Sequence, residues 1–252
     1  MPSSVTRLAL MLTLAIAAWQ TYASAGAQSA GGTVSGTINV TSPAGRNGRA
    51  AVRADRSGVV VWLMPVGASP RVRPTGADRP RFTMVQRGKR FLPRVLVIPV
   101  GSVVDFPNFD PIFHNVFSLF EGKRFDLGLY EAGSSRSVTF ASPGVSHVFC
   151  NIHPDMSAIV AAVDTDYFAA SATNGTFSIA NVPAGRYRLN VWHDRFAIEG
   201  ASDYPKEITV SAGGLVLGDL RFSDSGQALP AHTNKFGHGY IPPNAASPIY
   251  QK

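Results

Sequence analysis

The stretch Phe149–Met156, FCNIHPDM, holds the only cysteine of a 252-residue chain, with a histidine three places on and a methionine three beyond that. Short apolar segments flank it: SHVFC (Ser146–Cys150) before and SAIVAAV (Ser157–Val163) after, with a Pro143-Gly144 turn just ahead. Runs of that length bounded by turn residues predict two strands joined by a compact loop. A compact loop can turn Cys150, His153 and Met156 toward one point, whereas an extended strand would scatter them over both faces.

The chemical fate of that cysteine depends on where the chain goes. It opens MPSSVTRLALMLTLAIAAWQTYASAGAQSA: one basic residue, Arg7, then an apolar run from Leu8 to about Trp19, then small residues with Ala23-x-Ala25 and Ala25-x-Ala27 as cleavage options. This is the layout of a secretory signal peptide over residues 1–27. The run is shorter than the roughly 20 apolar residues a spanning helix needs. The expectation is an exported protein, periplasmic in the simplest case, with no spanning segment after cleavage. A lone cysteine in such a chain pairs between chains, stays a free thiol, ligates a metal or serves as a nucleophile.

Composition narrows the fold. Twenty-four glycines, 18 prolines and abundant Val, Thr and Phe favour strands and tight turns over helices. The net charge is +7, falling to +6 without Arg7, and much of the excess is local. Arg71, Arg73, Arg79, Arg81, Arg87, Lys89, Arg90 and Arg94 face only Asp78 in that stretch. Such a run reads as a solvated loop or as a docking surface for an acidic partner. No nucleic-acid-binding motif accompanies it, so nucleic acid is not the expected partner.

The rest of the chain reads strand after strand. TVSGTINV (Thr33–Val40) alternates, and GVVVWLMPV (Gly58–Val66) is a continuous apolar run suited to a buried strand. RVLVIPV (Arg94–Val100), VVDF (Val103–Phe106), HNVFSLF (His114–Phe120) and RSVTFA (Arg136–Ala141) continue the series, with Asn108, Asp110 and Pro111 breaking the chain before His114. After Asp164, NGTFSIANVPAGRYRLNVWHD (Asn174–Asp194) and two further strands ending at Phe222 carry a second signature, and residues 223–252 read as an extended tail. The fold class expected is all-β.

Cys150, His153 and Met156 need one further ligand, and His114 at the start of its own strand is the candidate. A thiolate, two imidazoles and a weak thioether suit a blue copper site, with trigonal His, His and Cys and a long axial Met. Each residue alone has a plainer role: Cys150 as a small buried hydrophobe, Met156 as core filler, His114 as a core histidine and His153 as a turn residue. Their joint occurrence favours the metal. A Cys150–His114 hydrolase leaves His153 and Met156 without a role. His193 beside Asp194 reads as a structural hydrogen-bonding residue, His232 and His238 as solvated, and His147 as a neighbour of the ligand strand.

The stretch from about Phe91 to Asp164 resembles the plastocyanin/amicyanin group of cupredoxins. The residues that carry the resemblance are VIPVGSVVDFPNFD, HNVFS, FDLGLY and SVTFASPGVSHVFCNIHPDMSAIVAAV. It implies a Greek-key β-sandwich over 84–164 holding one type-1 copper ion, with His114, Cys150, His153 and Met156 as ligands. It also implies that Asn115 ties the first-histidine strand to the ligand loop and that His153 presents an imidazole edge near the surface. Phe149 stands where many relatives have tyrosine. The flanks, 32–66 and 165–222, resemble a carboxypeptidase-regulatory-like (prealbumin-like) sandwich split around the copper region. The function implied is a single-electron carrier between a redox protein donor and an acceptor, not an enzyme. Copper storage or delivery without electron transfer is the alternative, and a binding sandwich with a vestigial site is a third.

Overall fold

The computed structural model describes residues 31–41, 52–67, 76–119, 122–194, 196–197, 204–224 and 233–240. The expected signal peptide, Arg71, Arg73, His232 and most of the tail lie outside them. Among the described residues there is no α-helix, in keeping with the all-β expectation. In chain order the strands are β1 (Gly32–Thr41), β2 (Val60–Pro65), β3 (Arg81–Thr83), β4 (Val85–Gln86), β5 (Phe91–Leu92), β6 (Val95–Pro99), β7 (Val103–Pro107), β8 (His114–Ser118) and β9 (Phe125–Tyr130). They continue as β10 (Ser135–Thr139), β11 (Gly144–Cys150), β12 (His153–Val163), β13 (Phe168–Ala170), β14 (Thr176–Val182), β15 (Gly185–Trp192), β16 (Phe196–Ala197), β17 (Lys206–Val210) and β18 (Leu215–Asp224).

Strands from the two ends of the chain share two sheets, ordered β14-β1-β18-β16 and β13-β2-β15-β17. Between them Val34, Ile38, Val61, Leu63, Phe177, Leu189 and Phe222 form one core. The central stretch builds the sheets β6-β12-β11-β8-β9 and β10-β7-β3, with the β4-β5 hairpin beside them. Phe91, Ile98, Val104, Phe106, Phe140, Val148 and Met156 fill that second core.

The continuous apolar runs of β2 and β12 follow from burial on both faces. Leu63 and Val61 enter the first core, while Val60 meets Val95, Val97, Ile159 and Ala161 in an apolar seam between the two halves. On β12, Ala158, Val160 and Ala162 face the second core, and Ile159, Ala161 and Val163 face the seam. A strand that buries one face alternates; one that buries both cannot. Arg94 closes the edge of the seam by pairing with Asp194, whose side chain is 1% exposed. Arg81 pairs with Asp105. The basic stretch is thus partly neutralised by acids remote in sequence, which local charge counting could not show. Arg87, Lys89 and Arg90 remain exposed.

Candidate metal centre

The turn that joins β11 to β12 is tighter than the loop expected. Only Asn151 and Ile152 separate Cys150 from His153, and these two residues pair across the turn. The next pair is Phe149 with Ser157, so Pro154, Asp155 and Met156 bulge out of the ladder. Bulges re-aim side chains and bend the strand that carries them. This one lets a strand present residues three apart that a regular pleat would spread over both faces.

His114, at the start of β8, completes the group. Its Nδ1 lies 3.8 Å from Cys150 Sγ, and His153 Nδ1 lies 3.5 Å from the same sulfur. The imidazoles meet edge-on with centroids 4.8 Å apart. The donor atoms of His114, Cys150 and His153 all lie within 4.8 Å of one another, and all three residues are buried. With metal–sulfur and metal–nitrogen bonds of about 2.3 and 2.0 Å, ligands at tetrahedral to trigonal angles would stand about 3.5–3.8 Å apart. The two sulfur–nitrogen spacings fit that test. Met156 is fully buried in the same apolar cluster as Cys150.

A residue that sequence reading took only as a chain breaker orients His114. Asp110 Oδ2 accepts from His114 Nε2 at 2.8 Å, which leaves Nδ1 as the inward lone pair. The Gly88 N–H donates to Asp110 Oδ1 at 2.6 Å and the Lys89 N–H to Oδ2 at 2.8 Å. Gly88 and Lys89 have φ of +63° and +56° and form the two-residue turn between β4 and β5. Positive φ at both central positions is the hairpin geometry that matches strand twist. Here it also turns two successive N–H groups onto one anion. Asn108 shapes the approach, with its Oδ1 accepting from the Asp110 N–H at 3.0 Å and its Nδ2 donating to Ile112 O at 2.8 Å. The clue available in sequence was an aspartate four residues before the histidine, in a loop of Asn108, Asp110 and Pro111.

Electrostatics favour neutral imidazoles. Burial depresses His114, and the Asp110 hydrogen bond and charge only partly oppose it. Burial, then the neighbouring His114, brings His153 down to about 4. For Asp110, burial acts upward, but the Lys89 N–H, the His114 ring and the Gly88 N–H outweigh it and hold the carboxyl below its usual value. The His114–Asp110 contact is therefore a neutral ring donating to a carboxylate. Burial pushes the Cys150 thiol up, although the N–H groups of Asn115, Ile152 and His153 face it and oppose that rise. A buried thiol shifted upward is not an activated nucleophile, so the hydrolase reading has no support here.

The Asn115 side chain bonds Asp126 Oδ1 at 2.8 Å through Nδ2, and its Oδ1 has no hydrogen-bond partner among the described residues. What Asn115 offers the cysteine is its backbone N–H. Phe106, Phe117 and Phe149 are buried, whereas Phe109 and Phe113 are 53% and 43% exposed. Both belong to the loop that carries Asp110, where backbone demands turn alternate side chains outward. His147 stacks beside Phe149 and meets Trp192 edge-on, outside the donor group. His193 contacts Asp194 at 3.3 Å, and His238 is exposed.

Comparison with known proteins gives partial likenesses. Residues 154–216 match the family model described as polysaccharide lyase family 4, domain II. No curated protein matches the chain. Over 41% of its length it is similar to the copper-containing nitrite reductase NirK from Thermus scotoductus SA-01, at 28% identity and a TM-score of 0.32, and the match spans 25% of that chain. It is similar over 32% of its length to a purple cupredoxin from Nitrosopumilus maritimus, at 26% identity, 98% of that chain and a TM-score of 0.30. A mutant of amicyanin in its Cu(I) form matches 33% of the chain at 19% identity, with 82% of that protein covered and a TM-score of 0.32.

Proposed function

We propose that this chain is an exported protein that holds one type-1 copper ion through His114, Cys150 and His153, with Met156 as a weak fourth ligand, and passes single electrons between redox partners. The observation that carries this reading is the convergence of one sulfur and two imidazole nitrogens at 3.5 and 3.8 Å in a buried cluster. Thiolate with two imidazoles and a thioether is a soft, mixed donor set that suits copper in both oxidation states. Bound copper would supply the one-electron couple.

The protein's own groups set the conditions. Asp110 keeps the His114 Nε2–H outward and Nδ1 inward. Three backbone N–H groups around Cys150 favour the thiolate that a metal requires. Phe106, packed in one buried cluster with Cys150 and Met156, helps keep water away. Arg87, Lys89 and Arg90, beside exposed Phe109 and Phe113, would suit an acidic partner with an apolar centre. In this reading residues 84–164 are a copper-binding module inserted into a sandwich built from 32–66 and 165–222.

Voltammetry of the copper-loaded protein tests the carrier role. A reversible one-electron wave is expected, and a loaded protein with no reversible wave would overturn it. The alternative, copper storage or delivery, draws on one observation: His153 is only 6% exposed, which leaves little imidazole edge for a partner. A colourless protein that retains only cuprous ion would favour that reading.

A further inference from the structure

The C-terminal segment 233–240 lies across the turn that carries Cys150 and His153. The Lys235 N–H donates to Asn151 Oδ1 at 2.9 Å, inside the two-residue turn. Tyr240 Oη donates to the carbonyl oxygen of Cys150 itself, also at 2.9 Å. Lys235 Nζ meets Asp126 Oδ2 at 2.7 Å, and the other oxygen of that carboxylate accepts from Asn115, whose backbone N–H faces the cysteine sulfur. Contacts from one short segment therefore reach the thiol-bearing residue from two directions.

The segment is built to hold this position. Asn234 Oδ1 accepts from the N–H groups of Phe236 and His238 at 2.9 and 3.1 Å. The Gly237 N–H donates to Asn234 O at 2.9 Å, and Gly237 adopts a φ of +79° that other residues rarely take. A segment closed by its own hydrogen bonds loses less entropy on docking than an open tail. Cys150 is fully buried beneath the turn, so a metal ion or reagent reaches the sulfur only when the turn opens.

We propose that residues 233–240 form a strap that clamps the ligand turn and controls entry to Cys150, with Lys235 and Tyr240 as its positioning residues. The strap resists opening of the turn at the Cys150 carbonyl and at Asn151, and it steadies Asn115 through Asp126. It rests on the proposed function only in naming copper as what enters.

The single cysteine provides a readout that needs no metal. In metal-free full-length protein, the rate at which an aromatic disulfide reagent modifies Cys150 is compared with Tyr240→Phe and with a chain ended before Thr233. Removing one ordinary hydrogen bond should speed modification about fivefold in Tyr240→Phe. Ending the chain before Thr233 should speed it roughly tenfold or more, since further bonds go with it, and release of cupric ion to a chelator should accelerate in parallel. Should the shortened chain fail to fold, Tyr240→Phe alone decides. Rates unchanged from the parent in the folded variants overturn the strap. A parent that binds no copper, together with accelerated thiol rates in the variants, retains the strap and overturns the copper reading instead.

Discussion

Replacing Asp110 with asparagine tests the orientation of the metal centre through three hydrogen bonds. Among the described residues every partner of the carboxylate is a donor: the Gly88 N–H on Oδ1, and the Lys89 N–H and His114 Nε2–H on Oδ2. An amide offers one acceptor oxygen where the carboxylate offers two. If that oxygen takes the Oδ2 place, the new NH2 faces the Gly88 N–H, donor against donor. In the reverse orientation the NH2 faces the Lys89 N–H and His114 Nε2. His114 must then accept at Nε2 and carry its proton on Nδ1, the atom turned toward Cys150. Either arrangement loses at least one charge-assisted hydrogen bond, worth about 1.5–3 kcal/mol. Loss of such an outer partner typically weakens metal binding by about 10–100-fold, equivalent to about 1.4–2.8 kcal/mol. Competition against a chelator measures the affinity, and urea unfolding of the metal-free protein measures the stability. Asp110→Asn should lose on both. Copper affinity within about twofold of the parent, far short of the expected loss, would refute the claim that Asp110 holds the His114 tautomer.

Two further outcomes are expected. The stability of the metal-free protein should depend on pH in both directions. His153 is lowered to about 4 in the folded state from 6.5, so the unfolded chain takes up a proton first as pH falls. Its share of stability is complete above about pH 6.5, is lost between there and about pH 4, and amounts to at most about 3 kcal/mol. Cys150 is shifted upward, so stability should also fall once the unfolded thiol ionises near its ordinary value; urea midpoints flat from about pH 5 to 8 would contradict the His153 shift. At the seam, Arg94→Met leaves the buried Asp194 carboxylate with His193 beside it in place of the guanidinium and should cost about 3 kcal/mol. Arg94→Met combined with Asp194→Leu should recover most of that loss, and a double variant no more stable than the single would argue against burial of an unpaired charge as the cause.

Particular residues explain how far the sequence could be read. Cys150 and His153 were legible because residue type, spacing and flanking apolar runs agreed, and His114 because it began a strand after a proline-containing loop. Their convergence depends on a bulge at Pro154–Met156 that depends on strand register, which no local pattern records. Asp110 was passed over because its value comes from the Gly88 and Lys89 N–H groups, about twenty residues earlier, in a hairpin whose placement beside the loop is tertiary. The apolar runs of β2 and β12 announced burial but not that two different cores share each strand. Asn234 and Gly237 are turn-forming residues, yet nothing in them tells where the turn docks. Long-range pairing of charges, as between Arg94 and Asp194, is likewise invisible to a count of neighbours along the chain.

The most direct measurement is the visible spectrum of the purified protein titrated with cupric ion, beside Cys150→Ser. An intense thiolate-to-copper band that saturates at one equivalent in the parent and is absent from Cys150→Ser is the result the proposed ligand set requires. A parent that binds cupric ion without that band, or a band that survives in Cys150→Ser, would contradict it.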